Sequence, residues 1–418
     1  MNSLPRRLAV LATTLLTLAM AAVLTLRAVG APIGIGQLPD DATPSAIPSP
    51  SGSDDPRVVL AAIEAQVAGI RQLPPADIGP PDLITRSQLS GELRRVFDEA
   101  WTPEQLAADN LTLRAMGLLN AQQDIRELTE SLYNDQVLGF YDFDRKRMVV
   151  VSDDGLSGEA KITYAHEFTH AMQDAAFDTG ARQGADDPEQ DDVGMAFLAL
   201  EEGDASVAMV RWAFSGNLST DELAHIGSTP VPDMSGIPPW MVKQLTFPYE
   251  TGAEFVSQLF ARSGWDAVDA AYAAPPSSTE QVIHVDKYLD GEKPVAVDGS
   301  SPAERLGKGW HDVETTTVGE AMIAIWLGQL GVRDGTARDA AAGWGGDELT
   351  VARGPHQAWA MSWRMVWDSP AEATEFLAAA RQINVNLPFT TRTLRVDSRT
   401  TLTVHASSPA LVAGLGVS

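Results

Sequence analysis

Thirteen residues, Ile162 to Asp174, ITYAHEFTHAMQD, constrain this chain more than any other stretch. On a helix, His166 and His170 stand four apart and share a face, so both imidazoles reach one metal ion while Glu167 projects beside them toward a bound water. Zinc takes neutral imidazole nitrogen and carboxylate oxygen, and with three protein ligands it keeps a position open for a water whose pKa falls to about 7. Glu167 then has the place of a general base that accepts the water's proton and hands it to a leaving amine. The bland alternative is a helix with two surface histidines. With seven His in the whole chain, that spacing around a Glu favours the metal.

The residues after His170 read AMQDAAFD, with neither the Gly nor the third His of the longer HExxHxxGxxH pattern, so the third ligand comes from elsewhere. The best source is the run from 194 to 214, GMAFLALEEGDASVAMVRWAF, which reads as a buried helix with Glu201, Glu202 and Asp204 in its middle. Buried carboxylates need a partner, and a metal supplies one. A polar turn at Gly203 between two short helices is the other reading. On chemical grounds alone, either glutamate can ligate.

HEFTH followed some thirty residues later by EGDA is similar to the gluzincin metallopeptidases, whose second helix carries a glutamate ligand just before a small residue. That resemblance places the ligand at Glu202, with Asp204, or failing that Glu201, as the acceptor for a ring N–H of a ligating histidine. It also implies a zincin-like core in which the strand before the metal helix, here Met148 to Ser152, pairs with extended peptide substrate, the alternative being a purely structural hairpin. More closely, the chain resembles a group of exported bacterial proteins that share GFYD (Gly139 to Asp142), HEFTHAxQD, EGDA (Glu202 to Ala205) and STEQVxH (Ser278 to His284). The resemblance runs from about residue 57 to about 381 and implies a metallopeptidase of unknown substrate. GWGGD followed by WDS also belongs to it, with no mechanism attached. A tetrahedral oxyanion needs a donor, and His284, then Tyr249, are the candidates.

At the N-terminus, Arg6 and Arg7 precede an uncharged stretch from Leu8 to Leu26, long enough to span a bilayer. The expectation for 1–30 is a single membrane anchor with the body outside the cytoplasm, by the positive charges before it; a cleaved signal and a secreted body is the alternative. Residues 31–56, rich in Pro, Ser, Gly and Asp, read as a flexible tether. A helical N-terminal lobe and the metal core are expected over 57–290, with a β-hairpin (Val137 to Tyr141 and Arg147 to Ser152) before the metal helix. A small α+β lobe is expected over 291–418. The fold class is thus α+β, mainly helical.

The net charge of −26 makes nucleic acid an unsuitable partner. The chain has no cysteine, which excludes disulfides, thiolate ligands and a cysteine nucleophile. No G-x-S-x-G motif is present for a serine hydrolase. The expectation is a membrane-anchored, extracytoplasmic zinc peptidase acting on a peptide or protein, held at His166, His170 and Glu202 with Glu167 as base. The rivals are a weak or inactive zincin-fold protein with a binding or cell-envelope scaffold role, and a zinc hydrolase of a non-peptide amide or ester.

Overall fold

A computed structural model describes residues 55–133, 137–152, 155–184, 191–228, 234–299, 301–383 and 385–416. The expected anchor, and all but the last two residues of the expected tether, lie outside the described residues. Among the described residues no helix is long and apolar enough to cross a membrane.

Helix α1 (Pro56–Arg71) opens on Asp55, whose carboxylate accepts from the Arg57 N–H, with Pro56 in its first turn. Its apolar stripe, Leu60, Ile63 and Val67, is buried in the cluster that also holds the metal-motif helix. After strand β1 (Asp82–Ile84), helices α2 (Arg86–Ala100) and α3 (Pro103–Met116) each begin with a reciprocal threonine–glutamine capping box, Thr85 with Gln88 and Thr102 with Gln105. Helix α4 (Ile125–Tyr133) then leads to the hairpin of β2 (Gly139–Asp142) and β3 (Arg147–Val151).

The first sheet has the order β1–β3–β2, with β1 parallel to β3 and β2 antiparallel to it. This overturns the expectation that Met148 to Ser152 offers an open edge to substrate. Leu83 and Ile84 pair with Val150 and Val151, so β3 is bonded on both sides and has no free edge over this stretch. A three-residue strand that pairs across some 65 positions leaves no local signature in the sequence.

Helix α5 (Gly158–Phe177), capped by the Ser157 hydroxyl, carries the HEFTH motif, and short α6 (Thr179–Gly184) follows it. Helix α7 (Asp191–Trp212) runs without a break through Gly203 and ends in a π turn, Ala213–Asn217. Then come α8 (Thr220–Ser228), α9 (Pro239–Ser263), α10 (Trp265–Ala273), α11 (Thr279–Ile283) and α12 (Val285–Asp290). Gly203 is a crossing point and not a turn. A Cβ there would lie 2.3 Å from the Gly252 carbonyl oxygen, and one at Gly252 would lie 2.1 Å from that of Ala199. Backbones of α7 and α9 therefore touch, which only glycine allows, and the position of Glu202 beside α5 is fixed by that contact.

The C-terminal part comprises α13 (Pro302–Leu306), β4 (His311–Thr316), α14 (Gly319–Gln329), α15 (Asp334–Ala341), β5 (Trp344–Arg353), β6 (Trp359–Trp367), α16 (Pro370–Ala380), β7 (Thr390–Arg395), β8 (Thr400–Ala406) and α17 (Pro409–Gly414). Its five strands form an antiparallel sheet, order β4–β5–β6–β8–β7. GWGGD opens β5. Its glycines let the chain at Val295 cross closely, and a Cβ at Gly346 would lie 2.2 Å from the Val295 carbonyl oxygen. One apolar core runs from Phe97 and Trp240 through Trp326 to Trp363 and Phe376, so this sheet is packed against helices from before residue 290. The architecture is α+β and mainly helical, with two small sheets.

Candidate metal centre

Helices α5 and α7 place His166, His170 and Glu202 together. Glu202 Oε2 lies 2.9 Å from His166 Nε2 and 3.3 Å from His170 Nε2, and the two nitrogens are 3.1 Å apart. Their candidate ligand atoms fall within 4.8 Å of one another. The three side chains are all but sealed, at 2 %, 0 % and 0 % exposure.

Burial by itself lowers a histidine and raises a carboxylic acid. At His166 burial wins and the imidazole is lowered. At His170 burial is outweighed by the Glu202 carboxylate, which raises the imidazole to about 10. Glu202, where burial is outweighed by the two histidines, is brought down to about 2. The two imidazoles are thus shifted in opposite directions around a single carboxylate, whose charge a divalent cation would answer.

Two observations show that this donor set fits a metal. Glu202 Oε1 and Glu167 Oε1 are both buried without a hydrogen-bond partner among the described residues, a costly state for a carboxylate oxygen. Further, the ring of His170 is held as a ligand's ring must be. The Gln173 amide donates from Nε2 to the Glu201 carbonyl (3.0 Å) and to Asp204 Oδ2 (3.0 Å), which leaves its Oε1 as acceptor for His170 Nδ1 at 2.8 Å. Nδ1 therefore keeps its proton, and Nε2 is the nitrogen that faces the cluster, where a metal would take the place of its proton.

Asp204, or failing that Glu201, was expected to accept from a ligating histidine directly, and the geometry around Asp204 corrects this. Asp204 is turned instead to Arg71, whose Nε and Nη2 lie 2.6 and 3.1 Å from its two oxygens, and to the Tyr272 hydroxyl at 2.8 Å. Two positions after Glu202, it points to the opposite side of α7. Glu201 is buried, and its backbone carbonyl accepts from Gln173 Nε2. The support of His170 thus runs Arg71–Asp204–Gln173. Gln173 was legible in the sequence as the residue three after His170 on the same face. Arg71, fully buried and 133 residues from Asp204, had no local signal.

Glu167 is 1 % exposed, and burial pushes it up to about 8. Its Oε2 accepts from the Tyr141 N–H of β2 at 2.9 Å, while Oε1 stays open. Tyr141 is itself fixed, its hydroxyl donating to Asp174 Oδ2, which also receives Lys146. The GFYD strand therefore holds the general-base candidate in place on α5.

Tyr249 lies at the site: it is buried, with its ring stacked on that of His166 at 6.0 Å between centroids. His284 is bonded to a different carboxylate. Its Nε2 contacts Glu320 Oε1 at 3.0 Å, which ties the α11–α12 junction to α14. The rest of STEQV is likewise committed, since Thr279 donates from N and Oγ1 to Asp192 on α7 and Lys287 donates to Glu280.

A family model described as a domain of unknown function, DUF8575, matches residues 304–411, the stretch that contains the whole five-stranded sheet. No curated protein and no solved structure matches the chain.

Proposed function

We propose that this protein is a zinc-dependent hydrolase with a zincin-like core, and that it cleaves peptide bonds. The observation that carries the reading is the convergence of His166, His170 and Glu202 beside a glutamate, Glu167, that keeps one buried oxygen free. His166 Nε2, His170 Nε2 and a Glu202 oxygen would hold the ion. Bound zinc supplies a Lewis acid that polarises a carbonyl and brings the pKa of a water to about 7.

The protein's own groups account for the remaining steps. Glu167 Oε1 accepts the proton of the attacking water as the new C–O bond forms, while Oε2 stays on the Tyr141 N–H and holds the carboxylate's orientation. The same proton is then delivered to the leaving nitrogen as the C–N bond breaks. Tyr249 restricts the ring plane of His166 by stacking on it. Gln173 keeps the His170 proton on the nitrogen that faces away from the cluster. The same set acts equally on a non-peptide amide or ester.

One observation favours a second reading, a zinc-binding protein of this fold that does not turn over. Glu167, His166, His170 and Glu202 are each no more than 2 % exposed, so substrate reaches them only after the surrounding helices move. The membrane anchor and extracytoplasmic location belong to the proposal and rest on residues 1–30 of the sequence. Turnover of a quenched fluorescent peptide library by the zinc-loaded protein, beside its Glu167→Gln variant, separates the readings. Hydrolysis abolished in the variant supports the enzyme; equal and negligible release from both supports the non-catalytic protein.

A further inference from the structure

A cavity of about 330 Å³ lies away from the metal cluster, in the C-terminal lobe, between the end of α16 and strand β7. Its floor is apolar, with Leu377, Ile383, Leu387 and Phe389, and its charged lining residues are Arg381 and Arg392. Strand β7 is the last in its sheet and pairs on one side only, with β8.

The two arginines of the groove are exposed. The chain carries 56 acidic against 30 basic residues, and Arg71, Arg126, Arg145 and Arg147 are each held by carboxylates. Arg381 and Arg392 make no side-chain hydrogen bond or ion pair with a described residue. Arg395, further along β7, bonds only to the carbonyls of Pro370 and Ser398 and the Thr374 hydroxyl. Two exposed cations beside apolar side chains and a strand edge paired on one side only suit a ligand that brings the negative charge.

We infer that this groove binds an extended, acidic segment of another protein, which adds as a strand to the open edge of β7, seats apolar side chains on Leu377, Leu387 and Phe389, and sets carboxylates against Arg381 and Arg392. Strand addition gives affinity through main-chain hydrogen bonds, and the alternation of side chains along a strand sends every second one to the groove and the others to the rim. The inference stands apart from the metal site and does not depend on hydrolysis there.

The test uses the full-length protein and a fluorescein-labelled hexapeptide of alternating valine and glutamate, with its valine–lysine counterpart as control, read by fluorescence anisotropy. The acidic peptide should bind at least tenfold more tightly than the basic one. The double variant Arg381→Glu/Arg392→Glu, changed only at exposed side chains, should keep its melting temperature and reverse that preference. Methylation of alternate backbone nitrogens of the acidic peptide should weaken binding at least tenfold. The inference is overturned if acidic and basic peptides bind alike, if the double variant holds the acidic peptide as well as the parent does, or if the methylated peptide binds undiminished. It is equally overturned if no peptide binds and the double variant instead associates with itself, because the arginines then serve only to keep the edge from pairing.

Discussion

Asp347 and Glu202 are both buried carboxylates at the heart of a helix–sheet or helix–helix junction, and their surroundings differ in one respect. Asp347 receives four hydrogen bonds, from the backbone N–H groups of Val318 and Gly319 and from the indole N–H groups of Trp344 and Trp363. Its charge is fully answered by the protein, and it joins the start of α14 to two strands of the sheet. Glu202 faces two imidazoles with one oxygen and nothing with the other, and Glu167 beside it likewise has one oxygen unanswered. A carboxylate with all its donors in place is an architectural element; one buried with donors missing is a site prepared for something else. Asp204, answered by Arg71, Gln173 and Tyr272, is of the first kind although it lies two residues from Glu202.

The contrast can be broken by substitution. Glu167→Gln should retain zinc and lose activity by about 10²–10⁴-fold, the usual weight of a general base, as measured by peptide turnover beside metal content. Asp347→Ala should do the reverse. Two indole and two backbone N–H groups would be left buried without an acceptor, at a cost of about 4 kcal/mol in denaturant unfolding, with metal binding to the remaining folded protein unchanged.

Smaller effects sharpen the comparison. Gln173→Met keeps the volume but removes the acceptor on His170 Nδ1, and should weaken zinc about 10–100-fold in competition with a chelator, beside a loss of stability from the Glu201 carbonyl and Asp204 it no longer answers. If zinc affinity stayed the same, the Arg71–Asp204–Gln173 chain would be packing and nothing more. The last effect belongs to the C-terminal part. Burial brings His405, which donates to the Ala115 carbonyl, down to about 4. Because its folded value lies below the unfolded value of about 6.5, the unfolded state takes up more protons between these limits. Its contribution is therefore complete above about pH 6.5 and is lost as pH falls toward 4, roughly 2 kcal/mol by pH 5. His405→Gln should flatten that part of the stability–pH curve.

What the sequence disclosed follows from how local each feature is. His166, Glu167 and His170 lie within one turn of one helix, so their common face could be read from spacing alone. The EGDA glutamate needed a resemblance, since Glu201 and Glu202 are chemically equal and the contact of Gly203 with Gly252 that aims one of them is tertiary. Arg71, the parallel pairing of β1 and the role of GWGGD in holding Asp347 depend on partners far along the chain or on backbone approach, and none has a periodic signature. The lone His284 misled for the opposite reason. Its position after STEQV drew attention, while the residue that fixes it, Glu320, is 36 positions away.

Metal content tests the central claim most directly. Purified under metal-replete conditions, the protein should carry one zinc per chain, retained by Glu201→Gln and by Glu167→Gln and lost by Glu202→Gln. A parent that binds no zinc, or a Glu202→Gln variant that binds it as the parent does, would contradict the account.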